Sequence, residues 1–346
     1  MIWKKKQFWG TLIAVGLLAF CVKDISLSEL KALSLRVDYF YLIPSVLFTY
    51  VFVIAKSLRW KLMVSRHKSL TYFRSISLYS AGLILNIIMP VLTGQVGRMF
   101  LFAKKEGLRK TFVFSTIILE IIFDAMSLVI FLFLTSLAFV FPEGYRSISI
   151  IVAGITILML ITLYLVLHYQ YTLEEISYHR LRDRWPSLYI GIRKFIRSFT
   201  KGIETLRSSQ HFAGTFLYSI VSWSAHTLVI YFLLKAFGFE LPLAAAASVM
   251  IINTIALLIP ITPGNAGTFE VAVSASLAAF SVGRSDAVLF AVALHLIDLL
   301  PVLSLGFFFL RSEKLSIREI KSRHDDGMIF DEITKNGTLV ENGERL

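Results

Sequence analysis

Nine apolar stretches divide the chain, near residues 7–22, 38–55, 75–92, 112–141, 148–168, 213–237, 243–260, 267–282 and 286–310. A helix needs about 20 residues to cross roughly 30 Å of hydrocarbon, and several of these runs approach that length. In lipid, every backbone N–H and C=O must be satisfied internally, so such runs fold as helices. The mean hydropathy of +0.71, with 56% hydrophobic and 17% charged residues, excludes an ordinary soluble domain. The expected fold is therefore all-α: a polytopic membrane helical bundle of about eight or nine hydrophobic segments.

Two of those runs are broken in the same way. Residues 90–97 read PVLTGQVG and residues 260–267 read PITPGNAG, both of the form P-x-x-x-G-x-x-G. Proline frees a backbone carbonyl within a helix, and glycine lets the chain turn or approach a ligand closely. Interrupted segments at matching places in two halves point to a binding site and to an inverted repeat. Broken or re-entrant helices are thus expected at both motifs.

The net charge of +12 is concentrated in particular connections. Segment 56–74 carries Lys56, Arg59, Lys61, Arg66, Lys68 and Arg74 without an acid, and segment 169–212 carries eight Lys/Arg against four acids. That distribution reads as positive-inside topology rather than as a nucleic-acid footprint. Both segments are expected in the cytoplasm, with 142–147 and 238–242 outside. Arg98, Lys104, Lys105, Arg109 and Lys110 form a further basic cluster. The scheme closes only if residues 75–110 enter and leave the membrane on one side, as a re-entrant hairpin. Near 190–207, Ile192, Phe195, Ile196, Phe199, Ile203 and Leu206 recur at helical spacing among basic residues, as in a helix lying on an anionic leaflet. A smaller interfacial helix is expected over 24–37.

Lys4, Lys5 and Lys6 precede the first apolar run, and bulky Phe20 precedes Cys21, which suits an uncleaved signal anchor. With Cys21 the single cysteine, an intramolecular disulfide is excluded. The domain organisation is expected to be a transmembrane domain over 1–310 and a polar, disordered cytoplasmic tail over 311–346, where seven basic residues face eight acidic ones. The expected setting is a cell membrane, crossed several times, with the tail in the cytoplasm.

Ionisable residues at membrane depth are costly and mark pathways or pairs. Here they are Arg98, Glu120, Asp124, His226, Glu270, His295 and Asp298. Arg98 follows the first motif directly, and a guanidinium offers bidentate hydrogen bonds to phosphate or carboxylate. A helix resuming after Gly97 or Gly267 would present unpaired N–H groups to an anion. Glu120 and Asp124 share one helix face, as do His295 and Asp298. A simple arrangement pairs Arg98 with Glu120 or Glu270 and couples His295 to Asp298, with His226 as a packing residue. The residues alone leave structural ion pairing, a transport role and catalysis open for each. Asn86 and Asn253 precede the motif prolines and would cap broken helix ends or touch a headgroup. The candidate binding set is accordingly Asn86, Pro90, Gly94, Gln95, Gly97, Arg98, Asn253, Pro260, Pro263, Gly264, Gly267 and Glu270, with Glu120, Asp124, His295 and Asp298 as ion-pair or proton-relay candidates.

Three stretches, Asn86…Pro90-x3-Gly94-Gln95-x2-Arg98, Glu120-x3-Asp124 and Pro260-Ile261-Thr262-Pro263-Gly264-x2-Gly267-x2-Glu270, resemble the signatures of the lysylphosphatidylglycerol synthase transmembrane-region family of flippase-like membrane proteins. The resemblance covers roughly residues 8–310. It implies a relation to the flippase part of the multiple peptide resistance factor, which moves aminoacylated phosphatidylglycerol between leaflets. The sequence departs from the family pattern at Gln95, where an acid is usual, and at Ile121 and His295, where Arg is usual.

The leading expectation is a non-enzymatic lipid flippase or transporter for an anionic phospholipid or a polyprenyl-phosphate-linked lipid. No nucleotide-binding G-x-x-x-x-G-K-[ST] occurs, and no cofactor, metal or catalytic set is expected. A membrane-embedded transferase would want paired acids, which occur as Glu174-Glu175, Asp325-Asp326 and Asp331-Glu332, mostly in the polar tail. An envelope assembly factor is the third reading. Expected partners are anionic-headgroup lipids, together with a second copy of the chain or a separate lipid-modifying enzyme.

Overall fold

The computed structural model describes residues 36–88, 93–138, 143–169, 208–257 and 262–312, with isolated positions elsewhere. Pro90 and Pro260 lie outside the described residues, as do much of the first apolar run, nearly all of 24–37, much of the 190–207 segment and most of the tail. Among the described residues, Val340–Glu341 pairs with Glu344–Arg345 as a short antiparallel ladder.

The architecture is an all-α bundle. Its helices are α1 (Leu42–Val64), α2 (Tyr72–Ile88), α3 (Thr93–Glu106), α4 (Lys110–Ala138), α5 (Glu143–His168), α6 (Ser209–Ala236), α7 (Leu243–Ala256), α8 (Thr268–Ala278) and α9 (Arg284–Ser312). Among the described residues, four helical stretches are long and apolar enough to cross a membrane: Tyr39–Val64, Lys110–Leu137, Ser209–Ala236 and Arg284–Phe309. At 1.5 Å per residue these run about 40 Å, whereas α3 reaches roughly 21 Å and α8 roughly 16 Å.

Those short helices form two hairpins. In the first, α2 packs on α3, and Arg74 in the opening turn of α2 holds Glu106 at the end of α3 at 2.7 Å. The hairpin therefore enters and leaves at one end, as the charge distribution requires. In the second, α7 packs on α8, and the adjoining segments meet at the opposite end, where Phe239 lies 6.0 Å from Phe290. The directions of the long helices fix these ends. The Asp38 N–H donates to the Ala236 carbonyl at 2.8 Å where α1 begins and α6 finishes, while Phe73 meets Phe309 at 5.2 Å where α2 begins and α9 finishes. The hairpins thus enter from opposite ends, and the tip of the second, the 3-10 turn Pro263–Asn265, lies against α2.

Small and hydroxylated residues let the helices approach, as they do where lipid offers no hydrophobic drive to association. The Ser45 hydroxyl donates to the Val229 carbonyl at 2.9 Å between α1 and α6, and the Ser75 hydroxyl donates to the Ser57 carbonyl at 2.7 Å between α2 and α1. Gly306 brings α9 against α2 so closely that a Cβ there would sit 2.4 Å from Ile84 and 2.9 Å from the Ser80 carbonyl.

Two boundaries correct the sequence reading. The first complete span continues to Val64, so Lys56 and Arg59 belong to a membrane helix and not to a cytoplasmic connection. The helix after the first motif resumes at Thr93, so Gly94 and Gly97 lie within its opening turns.

Candidate functional site

A cavity of about 210 Å³ opens among the first four helices. Phe52, Val53 and Lys56 line it from α1, Tyr79 and Leu83 from α2, Gln95 and Arg98 from α3, and Ile117, Glu120, Ile121 and Asp124 from α4. The first hairpin supplies Arg98, which α3 buries against Glu120 on the next helix, α4. Arg98 Nη2 donates to Glu120 Oε2 at 2.5 Å, and both residues are buried. Tyr79 and Phe102 place their rings 5.1 and 5.6 Å from the guanidinium, a cation–π setting that adds to its stabilisation.

One turn along α4, Asp124 gathers three donors. Arg59 Nη1 lies 2.6 Å from its Oδ1, Trp223 Nε1 donates to the same oxygen at 2.9 Å, and Lys56 Nζ lies 3.2 Å from Oδ2. The fully buried Arg59 also donates to the Ser219 hydroxyl at 2.8 Å. Lys56 sits over the Phe52 and Trp223 rings at 4.8 and 4.6 Å. Lys56, Arg59 and Arg98 thus face Glu120 and Asp124, three formal positive charges against two negative. Several buried polar atoms here have no partner among the described residues: Arg59 Nε and Nη2, Arg98 Nε, Glu120 Oε1 and Gln95 Oε1. Buried polar groups ordinarily find partners, so this cluster has hydrogen-bonding capacity to spare.

The second motif builds a separate cluster. Gly264, Asn265 and Gly267 all hold positive φ (60°, 59° and 84°), which folds the tip tightly enough for Gly267 to cap α8. Glu270 Oε2 accepts the Gly267 N–H at 2.6 Å, and its Oε1 lies 2.7 Å from His295 Nδ1 on α9. His295 Nε2 lies 3.1 Å from the Gly264 carbonyl oxygen.

The expected couple between His295 and Asp298 is therefore corrected. Residues three apart on one helix diverge here toward different neighbours, His295 to α8 and Asp298 to α6, where Asp298 lies 3.2 Å from His226 Nε2. His226, read as a packing residue, is that carboxylate's partner. Of the two acids offered to Arg98, Glu120 takes it and Glu270 does not.

The structure brings Gln95, Arg98, Glu120 and Asp124 to one cavity, and Gly264, Gly267, Glu270 and His295 to one turn. Gly94 and Gly97 are buried in α3; Asn253 is buried in α7 with its Oδ1 unpartnered among the described residues. Asn86 lies in α2 and Pro263 in the 3-10 turn. Sequence reasoning missed Lys56, Arg59, Tyr79, Trp223 and Ser219. The available signal was Asp124 itself, an acid at membrane depth whose cation had to come from a neighbouring span. Among the described residues, no group of three or more His, Cys, Asp or Glu could hold a metal ion.

Opposed short hairpins inside a frame of long apolar helices, with charges turned inward, define a polytopic membrane protein. Residues 7–306 match the family described as the lysylphosphatidylglycerol synthase TM region, and the chain belongs to that family. It is also similar to the UPF0104 membrane protein PH1989 of Pyrococcus horikoshii, at 23% identity over 337 residues, covering 90% of this chain and 99% of that protein. No solved structure matches.

Proposed function

We propose that this protein moves lipids bearing an anionic headgroup between leaflets, with the cavity of α1–α4 as the headgroup site. The observation that carries this reading is a cavity inside an apolar bundle lined by Lys56 and Arg98 beside Glu120 and Asp124, with Arg59 buried behind Asp124 and Arg98 Nε without a partner among the described residues. A phosphodiester presents anionic oxygens that Arg98 can hold by charge-assisted hydrogen bonds while Glu120 fixes the guanidinium. Lys56 of α1, held by Asp124, supplies a second cationic side chain to the cavity lining. The acyl chains remain in the bilayer, which the half-exposed Ile121 on the cavity rim would contact. The family's relation to lysylphosphatidylglycerol synthase supports a lipid as the cargo. A cytoplasmic C-terminus completes the proposed orientation.

The test is lipid movement in reconstituted vesicles carrying fluorescent phosphatidylglycerol or phosphatidylcholine, read by quenching of outer-leaflet label. Faster movement of the anionic lipid is expected, with its rate reduced by roughly tenfold or more in Arg98→Ala, the scale of one lost charged hydrogen bond. Equal rates for both lipids, or an unchanged rate in Arg98→Ala, would overturn the assignment.

A further inference from the structure

The turn of the second hairpin fixes a proton count. Both ring nitrogens of His295 face oxygen acceptors, Nδ1 the Glu270 carboxylate at 2.7 Å and Nε2 the Gly264 carbonyl at 3.1 Å. A neutral imidazole carries one N–H, so with Glu270 ionised it would aim a lone pair at one of those oxygens. Satisfying both contacts requires a second proton on the dyad. The imidazole is its seat, because Glu270 is the third residue of α8 and already accepts the Gly267 N–H at 2.6 Å. A backbone donor and the positive end of a helix both favour the carboxylate form. The ring is held in place by Phe269, stacked at 4.4 Å.

His226 provides the contrast. Its Nε2 lies 3.2 and 3.3 Å from the two oxygens of Asp298, and its buried Nδ1 has no partner among the described residues. One N–H satisfies that arrangement.

We propose that His295 and Glu270 form a proton-binding site that latches the tip of the second hairpin to α9, so that the tip parts from α9 with release of one proton. Loss of the proton leaves His295 with a single N–H, which stays with the carboxylate because that bond is shorter and charged. The Gly264 carbonyl then faces a lone pair, and the tip, which rests on α2, loses its tie to α9. Among the described residues, Glu270 is the charged group that α8 turns toward His295. Other titratable or charged groups on the packed elements are engaged elsewhere: His226 of α6 with Asp298, Tyr50 of α1 with Ser304, Lys56 of α1 with Asp124, and Arg74 of α2 with Glu106. Tyr79 of α2 belongs to the cavity. The latch gives the proposed transporter a proton as its coupling ion, but its existence does not depend on what the cavity carries.

The experiment uses the full chain in lipid nanodiscs, with ¹⁵N-labelled histidine and hydrogen–deuterium exchange across a pH series. Among the signals of the seven histidines, one with both nitrogens protonated is expected to be absent in His295→Gln and retained in His226→Gln. As that signal titrates, protection of residues 262–270, corrected for the intrinsic pH dependence of exchange, should fall by roughly tenfold to a hundredfold, the scale of a charged hydrogen bond. His295→Arg, a cation that does not titrate, should keep protection constant across the series. A bare ring nitrogen on His295 throughout the series, protection of 262–270 indifferent to its titration, or pH-dependent protection persisting in His295→Arg would each overturn the latch. None of these outcomes touches the lipid-movement assay, so the two proposals fail separately.

Discussion

Asp124 holds Arg59, Lys56 and Trp223 with one carboxyl group, so its charge does more than balance a single neighbour. Breaking a buried pair by removing one partner leaves an uncompensated charge, whereas replacing both partners by apolar groups is often close to neutral. Asp124→Asn should therefore destabilise the protein by about 3–5 kcal/mol, read as thermal unfolding in detergent, because Arg59 would be left with only part of its bonding satisfied. The pair Arg98–Glu120 separates stability from function. The double variant Arg98→Met/Glu120→Leu should unfold within about 1.5 kcal/mol of the parent while each single change costs more, and it should lose selectivity for anionic lipid. Retained selectivity in a folded double variant would remove Arg98 from the headgroup site. At this scale the sequence disclosed the acids more readily than their partners. A carboxylate inside an apolar run stands out, but Lys56 and Arg59 follow an apolar run and look the same as the start of a positive loop. Only the length of α1, set by tertiary packing, tells the two apart.

Helix length carries the architecture at the next scale. The proline-glycine motifs located both hairpins, because no other residue pair breaks an apolar helix so reliably. They did not fix the register. Thr93 already begins α3, despite the helix propensity that Gly94 and Gly97 cost, and the helix buries Arg98. Gly82 shows how tightly Arg98 is held: a Cβ there would lie 2.6 Å from Arg98 Cγ, within the flexible part of the side chain. Gly82→Ala should accordingly shift Arg98 and slow anionic-lipid movement, with a small loss of stability. At Gly306 the Cβ would meet both Ile84 and the Ser80 backbone. Backbone cannot yield as a side chain does, so Gly306→Ala should cost about 1–3 kcal/mol by forcing α9 off α2. Comparing the two variants by unfolding and by transport distinguishes a site effect from a helix-packing effect. Similar stability losses in both would contradict the difference between their surroundings.

For the whole molecule, the decisive property is that the hairpins enter from opposite ends and the second tip rests on α2. Charge patterning made the first hairpin legible, because residues 75–110 had to return to a basic end. The second end was legible only by analogy between two eight-residue motifs, and the contacts among Phe237, Phe239 and Phe290 now define it. If the basic end faces the cytoplasm, the exposed Lys68 and Glu240 lie on opposite sides of the membrane. Lys68 reaches Glu106 only at 3.9 Å, where Arg74 already holds that carboxylate, and Glu240 pairs with Lys235 at the surface, so replacing either should leave the fold intact. In a Cys21→Ser background, Lys68→Cys should react with a membrane-impermeant maleimide only in inverted vesicles, and Glu240→Cys only in intact cells. Labelling of both from one side would mean that the two hairpins share an end. Cavity and latch would then open to the same leaflet, and no alternation between leaflets could be built from their movement.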